Sequence, residues 1–259
     1  MKKTTLCDEF QRLSVETWDR IGFARSRSGL KIYETTITQN LLFQLKKFSE
    51  LYKTTQVQMF EAVNEKTNGN DIEIFLQIDS DYICLPTQAK IIYSNGKYPR
   101  MEHGKQINDL MNYAKSVGGF PLYLLYNYDK ENISLNNYGC SIVSAQYLFD
   151  NFAYKLVKKK WIIPSFSDLN PSVAEPWDVL VCNFFSNILT TMSRSLIASD
   201  ISAIKNYAIE EVVDNSNWKR LTLVKSDREE RDDLSETNYD NEFSPKFRIV
   251  ISSQNIGKK

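Results

Sequence analysis

A chain of 259 residues with 42% hydrophobic and 12% aromatic content can bury one substantial core, with room for an appended subdomain. Its 32 Lys and Arg balance 32 Asp and Glu, which excludes the global basic field of many nucleic-acid binders and leaves any such contact to local patches. The opening stretch, residues 1–9, turns polar and acidic before an apolar signal segment could form, and no apolar run approaches membrane-spanning length, so a cytoplasmic chain without membrane contact is expected.

In chain order, Ile37, Leu41, Leu45, Phe48 and Tyr52 recur at three- and four-residue steps and predict an amphipathic helix over about 33–52. Glu34 precedes that stripe by one turn, on its inward side. It either meets a cation or metal there or complements the positive helix terminus from solvent. Residues 56–63 alternate as a strand, and a polar turn over 64–70 leads to a second strand opening Asp71-Ile72-Glu73-Ile74, with Asp71 and Glu73 on one face. Residues 82–92 predict a third strand carrying Gln88-Ala89-Lys90. Alternation sends Gln88 and Lys90 to one face and Ala89 to the other. A helix over about 102–117 is ended by Gly118-Gly119, and residues 120–126 are apolar enough for a strand buried on both faces.

Further on, residues 144–156 and 177–189 predict helices separated by Pro164, Pro171 and Pro176. Residues 221–224 and 247–251 could pair as strands around 227–242, a stretch with eight acidic residues that is expected to be a mobile loop. Cys7, Cys84, Cys140 and Cys182 have no Cys-x-x-Cys spacing, so buried thiols are expected rather than zinc ligands or disulfides. His103, the only histidine, excludes multi-histidine metal sites and reads as a surface turn residue. Two basic patches stand out: Lys155, Lys158, Lys159 and Lys160 beside Tyr154 and Trp161, and Arg20, Arg25, Arg27 and Lys31 ahead of Glu34.

The chemistry in this pattern is that of a hard cation. Asp71 offers a carboxylate, Gln88 an amide oxygen and Ala89 a backbone carbonyl, which suit Mg²⁺ with Mn²⁺ as substitute, while Lys90 can orient water or stabilise transition-state charge. An amide at position 88 carries no charge, so metal binding is expected to be weak unless Glu34 or Glu73 compensates. Spelling alone decides little: Gln44-Leu45-Lys46 repeats the Gln-x-Lys pattern inside a helix, where its ends do not converge.

With Glu34, Asp71 and Gln88-Ala89-Lys90 in an α-β-β-β-α-β order, about 100 residues from Ser28 to Asn127 resemble the PD-(D/E)XK, restriction-endonuclease-like phosphodiesterases. The nearest likeness is to Holliday-junction resolvases and Mrr-type enzymes, in which Gln may replace the third-motif acid. The resemblance implies an α/β fold with that core and a mostly helical C-terminal extension. It divides the chain into 1–150, the nuclease-like core, and 151–259, packed on it. It implies catalytic roles for Glu34, Asp71, Gln88, Lys90 and Gln106, with metal held by Asp71, Gln88, Ala89 and Glu34. It further implies duplex DNA as substrate, with RNA as an alternative, a homodimer cutting both strands, and a setting in prokaryotic defence. Asn70 stands where the superfamily usually has proline. The competing expectation is a catalytically silent module whose residues 130–259 bind a protein partner.

Overall fold

A computed structural model describes residues 4–27, 30–54, 56–62, 72–157, 160–182, 204–214, 216–221 and 245–253. The helix α1 (Leu6–Ser26) starts at a capping box in which the Thr5 hydroxyl accepts the Asp8 N–H and the Asp8 carboxylate accepts the Thr5 N–H. There follow α2 (Glu34–Leu51), β1 (Val57–Ala62), β2 (Ile72–Ile78), β3 (Asp81–Ile91), α3 (Lys105–Val117) and β4 (Leu122–Tyr126). The α-β-β-β-α-β order read from periodicity is therefore present. Gly118 adopts φ +60 and ends α3, as its position past the last periodic residue predicts.

A nine-stranded mixed sheet forms the centre of an α/β fold. β2 and β3 pair antiparallel and β3 and β4 pair parallel, with α3 as the crossover. β5 (Cys140–Ser144) extends the sheet beyond β4, and β8 (Glu175–Pro176) edges it. On one face Leu13, Ile37, Leu41 and Leu45 of α1 and α2 pack against Ile74, Leu85, Ala89 and Leu124. On the other, Ile107 and Leu110 of α3 pack against Tyr123 and Leu125.

The C-terminal strand departs from expectation. Residues 222–224 lie outside the described residues, and β11 (Phe247–Ile251) inserts between β1 and β2, antiparallel to the first and parallel to the second. β10 (Trp218–Arg220) pairs on the far side of β1. The extension expected to be mostly helical contains, among its described residues, only short helices: α5 (Phe166–Leu169), α6 (Val179–Cys182) and α7 (Ile209–Val213). It also contains the small hairpin of β6 (Leu156–Val157) and β7 (Lys160–Trp161), and β9 (Asn206–Tyr207) on β3. The acidic stretch 227–242 lies outside the described residues. The helix expected over 144–156 keeps its start but shortens at its C-terminal end to α4 (Ala145–Asn151), because Tyr154 takes φ +56 and Leu156 is already in a strand.

The cysteines split into two kinds. Cys84 and Cys140 are buried thiols as expected, and burial raises both pKa values, that of Cys140 to about 12. Cys7 and Cys182 form a disulfide instead, across 175 positions of sequence. No local spacing could announce it.

Helix α1 meets the sheet edge closely. The Ser14 hydroxyl donates to Asn137 O at 2.6 Å and accepts the Cys140 N–H at 2.8 Å. A Cβ on Gly139 would stand 1.9 Å from the Ser14 carbonyl oxygen. Gly139→Ala is therefore expected to cost about 1–3 kcal/mol through overpacking, read as a lowered midpoint in urea unfolding. A midpoint unchanged from the parent would show that α1 can lift from the sheet without loss.

Candidate functional site

The polar pair on β3 is held by the ladder itself. Gln88 lies opposite Tyr123 and Lys90 opposite Leu125 in the parallel register with β4, so all four share the face covered by α3. Ala89 is fully buried on the opposite face, among the residues of α1 and α2. Gln88 is buried, at 8% exposure, and Lys90 is half-buried. The alternation read from sequence is thus present, and a buried amide here is far from a solvated strand surface.

Helix α3 brings Gln106 to the same place. Its C-terminal end lies at the start of β3, where the Phe120 N–H donates to Cys84 O at 2.9 Å, so the helix runs antiparallel to the strand. Its Tyr113 hydroxyl donates to Glu73, the cross-strand partner of Pro86. Seven residues back along the helix is about 10 Å, and four residues on along β3 is about 13 Å. Gln106 therefore stands level with the Gln88–Lys90 stretch. Its Oε1 is buried and has no hydrogen-bond partner, and a buried acceptor without a donor is costly unless a ligand, water or cation meets it.

Glu34 approaches from the other face. As the first residue of α2 it is half-buried, and its Oε2 accepts the Ile91 N–H at 3.1 Å, one residue beyond Lys90. One of the groups this half-buried carboxylate meets is thus a backbone amide. Asp71 precedes β2 and lies outside the described residues.

Glu73 is committed elsewhere. Its Oε2 accepts both Arg248 Nε at 3.0 Å and an Arg248 terminal nitrogen at 2.8 Å, and Tyr113 donates to its other oxygen. Burial, reinforced by the adjacent carboxylate, drives the Tyr113 hydroxyl pKa far up, so it stays a proton donor. Glu73 cannot supply the compensating charge that a neutral residue 88 calls for. Glu102 is an acid the sequence reading passed over. It is buried, at 6% exposure, with Oε1 3.6 Å from His103 Nε2 and Oε2 without a hydrogen-bond partner. Its place at the start of a predicted amphipathic helix was the only available signal.

The basic patches are partly consumed by structure. Arg25 donates to the carbonyls of Tyr128 and Ile92, and burial lowers its pKa. Arg20 pairs with Glu16. Lys31 and Arg20 line an open groove of about 500 Å³ with Glu16, Asp19 and Phe23, whose lining includes neither Gln88, Lys90 nor Gln106. Lys158 and Lys159 lie outside the described residues. Trp161 is exposed and meets the ring of His103, itself exposed, edge-on at 5.7 Å. Among the described residues, no helix is long and apolar enough to cross a membrane.

A family model matches residues 6–254, nearly the whole chain, and it describes a family of unknown function, DUF6615. No curated protein and no solved structure matches.

Proposed function

The chain belongs to the DUF6615 family of unknown function, and we propose that it is a metal-dependent endonuclease of the PD-(D/E)XK type, acting on duplex DNA. One observation carries the reading: Gln88 and Lys90, which the resemblance assigns to metal and water, share one face of β3, and the Glu34 carboxylate reaches the strand backbone at the next residue, Ile91, from the other face. The element order and the unpartnered Gln106 oxygen support it.

The donor set is all oxygen, which fits a hard divalent ion such as Mg²⁺ or Mn²⁺. Asp71, Gln88, the Ala89 carbonyl and Glu34 would hold it. Bound there, the ion would neutralise nonbridging phosphate oxygens and lower the pKa of water. Lys90 donates hydrogen bonds and charge to the attacking water or the phosphoryl oxygens, and half-burial strengthens that field relative to open solvent. Gln106 sets the position of the backbone phosphate through its amide.

Purified protein incubated with plasmid in Mg²⁺ or Mn²⁺ tests the reading. Cleavage is expected from the parent and lost in both Lys90→Ala and Asp71→Ala. If duplex, branched and single-stranded DNA and RNA all survive intact, the proposal falls and a silent binding module takes its place.

A further inference from the structure

We propose that Cys7, Asp178 and Cys182, with Gln11 beside them, form a thiol-governed zinc site: closed as a disulfide when oxidised, a Zn²⁺ ligand set when reduced. The cluster lies between α1 and α6, and its role is independent of the nuclease reading. One ligand atom from each of Cys7, Asp178 and Cys182 falls within 4.8 Å of the others, all at half-buried positions. The Asp178 Oδ2 stands 3.4 Å from Cys182 Sγ, and Gln11 Nε2 donates to that same oxygen at 2.8 Å while lying 3.7 Å from Cys182 Sγ.

The spacing is that of a two-helix ligand set. Cys7 and Gln11 are four apart on α1. Asp178 and Cys182 are also four apart, and the Cys182 N–H donates to Asp178 O at 2.7 Å in helical fashion. Residues four apart lie on one helix face, so two pairs converge. Two thiolates and a carboxylate give the charge and softness that zinc prefers over magnesium, and Gln11 Oε1 or water completes a tetrahedron.

The elements stay together without the sulfur bond. Phe10 stacks on Trp177 at 4.2 Å between ring centroids, and the Trp177 indole N–H donates to Phe10 O at 2.8 Å. Leu6, Phe10 and Leu13 share a buried cluster with Leu180 and Val181. Reduction therefore frees two sulfurs within a scaffold that remains docked. Two small thiols of the glutathione class supply two electrons and two protons, leaving as their own disulfide and yielding the Cys7 and Cys182 thiols. Zinc binding then releases those two protons to solvent, so affinity rises with pH. The other two cysteines do not compete, since burial keeps Cys84 and Cys140 protonated.

The test uses full-length protein, treated with chelator and a phosphine reductant and then titrated with ZnCl₂, with an oxidised sample beside it. With excess Mg²⁺ present to occupy any oxygen-ligand site, one more zinc per chain is expected in the reduced protein than in the oxidised one. Cobalt in place of zinc should give a thiolate charge-transfer absorption in the near ultraviolet. Asp178→Asn keeps the disulfide available for folding and is expected to weaken zinc binding tenfold or more in the reduced state. Cys7→Ser should abolish it. Failure of the reduced protein to take up stoichiometric metal overturns the proposal. So does unchanged affinity in Asp178→Asn, or the same additional zinc in excess Mg²⁺ retained by the variant lacking both Cys7 and Cys182 sulfurs.

Discussion

Arg248→Met is expected to destabilise the fold by about 3–5 kcal/mol, because it strands the Glu73 carboxylate in the interior without its cation. The two side chains are 7% and 3% exposed. Arg248 also donates to Val212 O at 2.8 Å and lies over the rings of Phe75 and Trp218, at 4.7 and 4.3 Å. With Tyr113 on the other Glu73 oxygen, one carboxylate ties β2, β11 and α3 together, while the guanidinium adds α7. For a domain of this size the loss corresponds to roughly 10 °C in Tm, at about 2–4 °C per kcal/mol. Glu73→Leu combined with Arg248→Met removes both charges and should recover most of it, since an apolar pair of similar volume avoids both desolvation costs. Chemical unfolding of the two single variants and the double closes the cycle. A single-variant loss below about 1 kcal/mol would mean that water reaches Glu73 and solvates it.

That ion pair also marks where sequence reading stops. The elements from α2 to β4 were legible because each is written in local periodicity: the Ile37–Phe48 stripe, the alternation at 72–76 and 82–91, the glycines after Val117. The strand character of 247–251 was legible too. Its partner was not, since β11 reaches β2 from about 170 residues away. A hint was present in Arg248, a cation inside the run Phe-Arg-Ile-Val-Ile, which calls for a buried acid, and Glu73 was already set on an alternating face. β5 was lost because its small and polar residues, Cys140, Ser141 and Ser144, blur into the helix that follows.

The site divides the same way. The common face of Gln88 and Lys90 follows from strand period alone, whereas burial of Gln88 depends on α3 and on the neighbouring β4, which no local pattern reports. The place of Glu34 one turn before Ile37 left open whether its carboxylate turns inward or to solvent, and the structure has it half-buried. Its contact with Ile91 depends on the angle at which α2 crosses the sheet. Cys7 and Cys182 meet where Phe10 of α1 stacks on Trp177 just ahead of α6, a docking that no local pattern reports.

Gln88→Glu is expected to tighten Mg²⁺ and Mn²⁺ binding about tenfold or more, measured by calorimetric titration. A carboxylate gains Coulomb energy from a cation that an amide cannot, on the order of 4 kcal/mol per unit charge at 4 Å and an effective dielectric of 20. Part of that is offset by desolvating an acid at a position 8% exposed. The offset has its own signature in the metal-free variant. Burial raises the pKa of the introduced carboxylate above its unfolded value of about 4.3, so the folded state binds more protons than the unfolded one. Stability relative to the parent is then retained below that value and lost as pH rises towards neutrality, and added Mg²⁺ restores it. Lys90, on the same face two residues on, softens this loss without removing it. Stronger metal binding together with metal-rescued stability at pH 7 would place residue 88 against the ion. Unchanged or weaker affinity would remove it from the ligand set, because a charge added next to a divalent cation has no other sign to give.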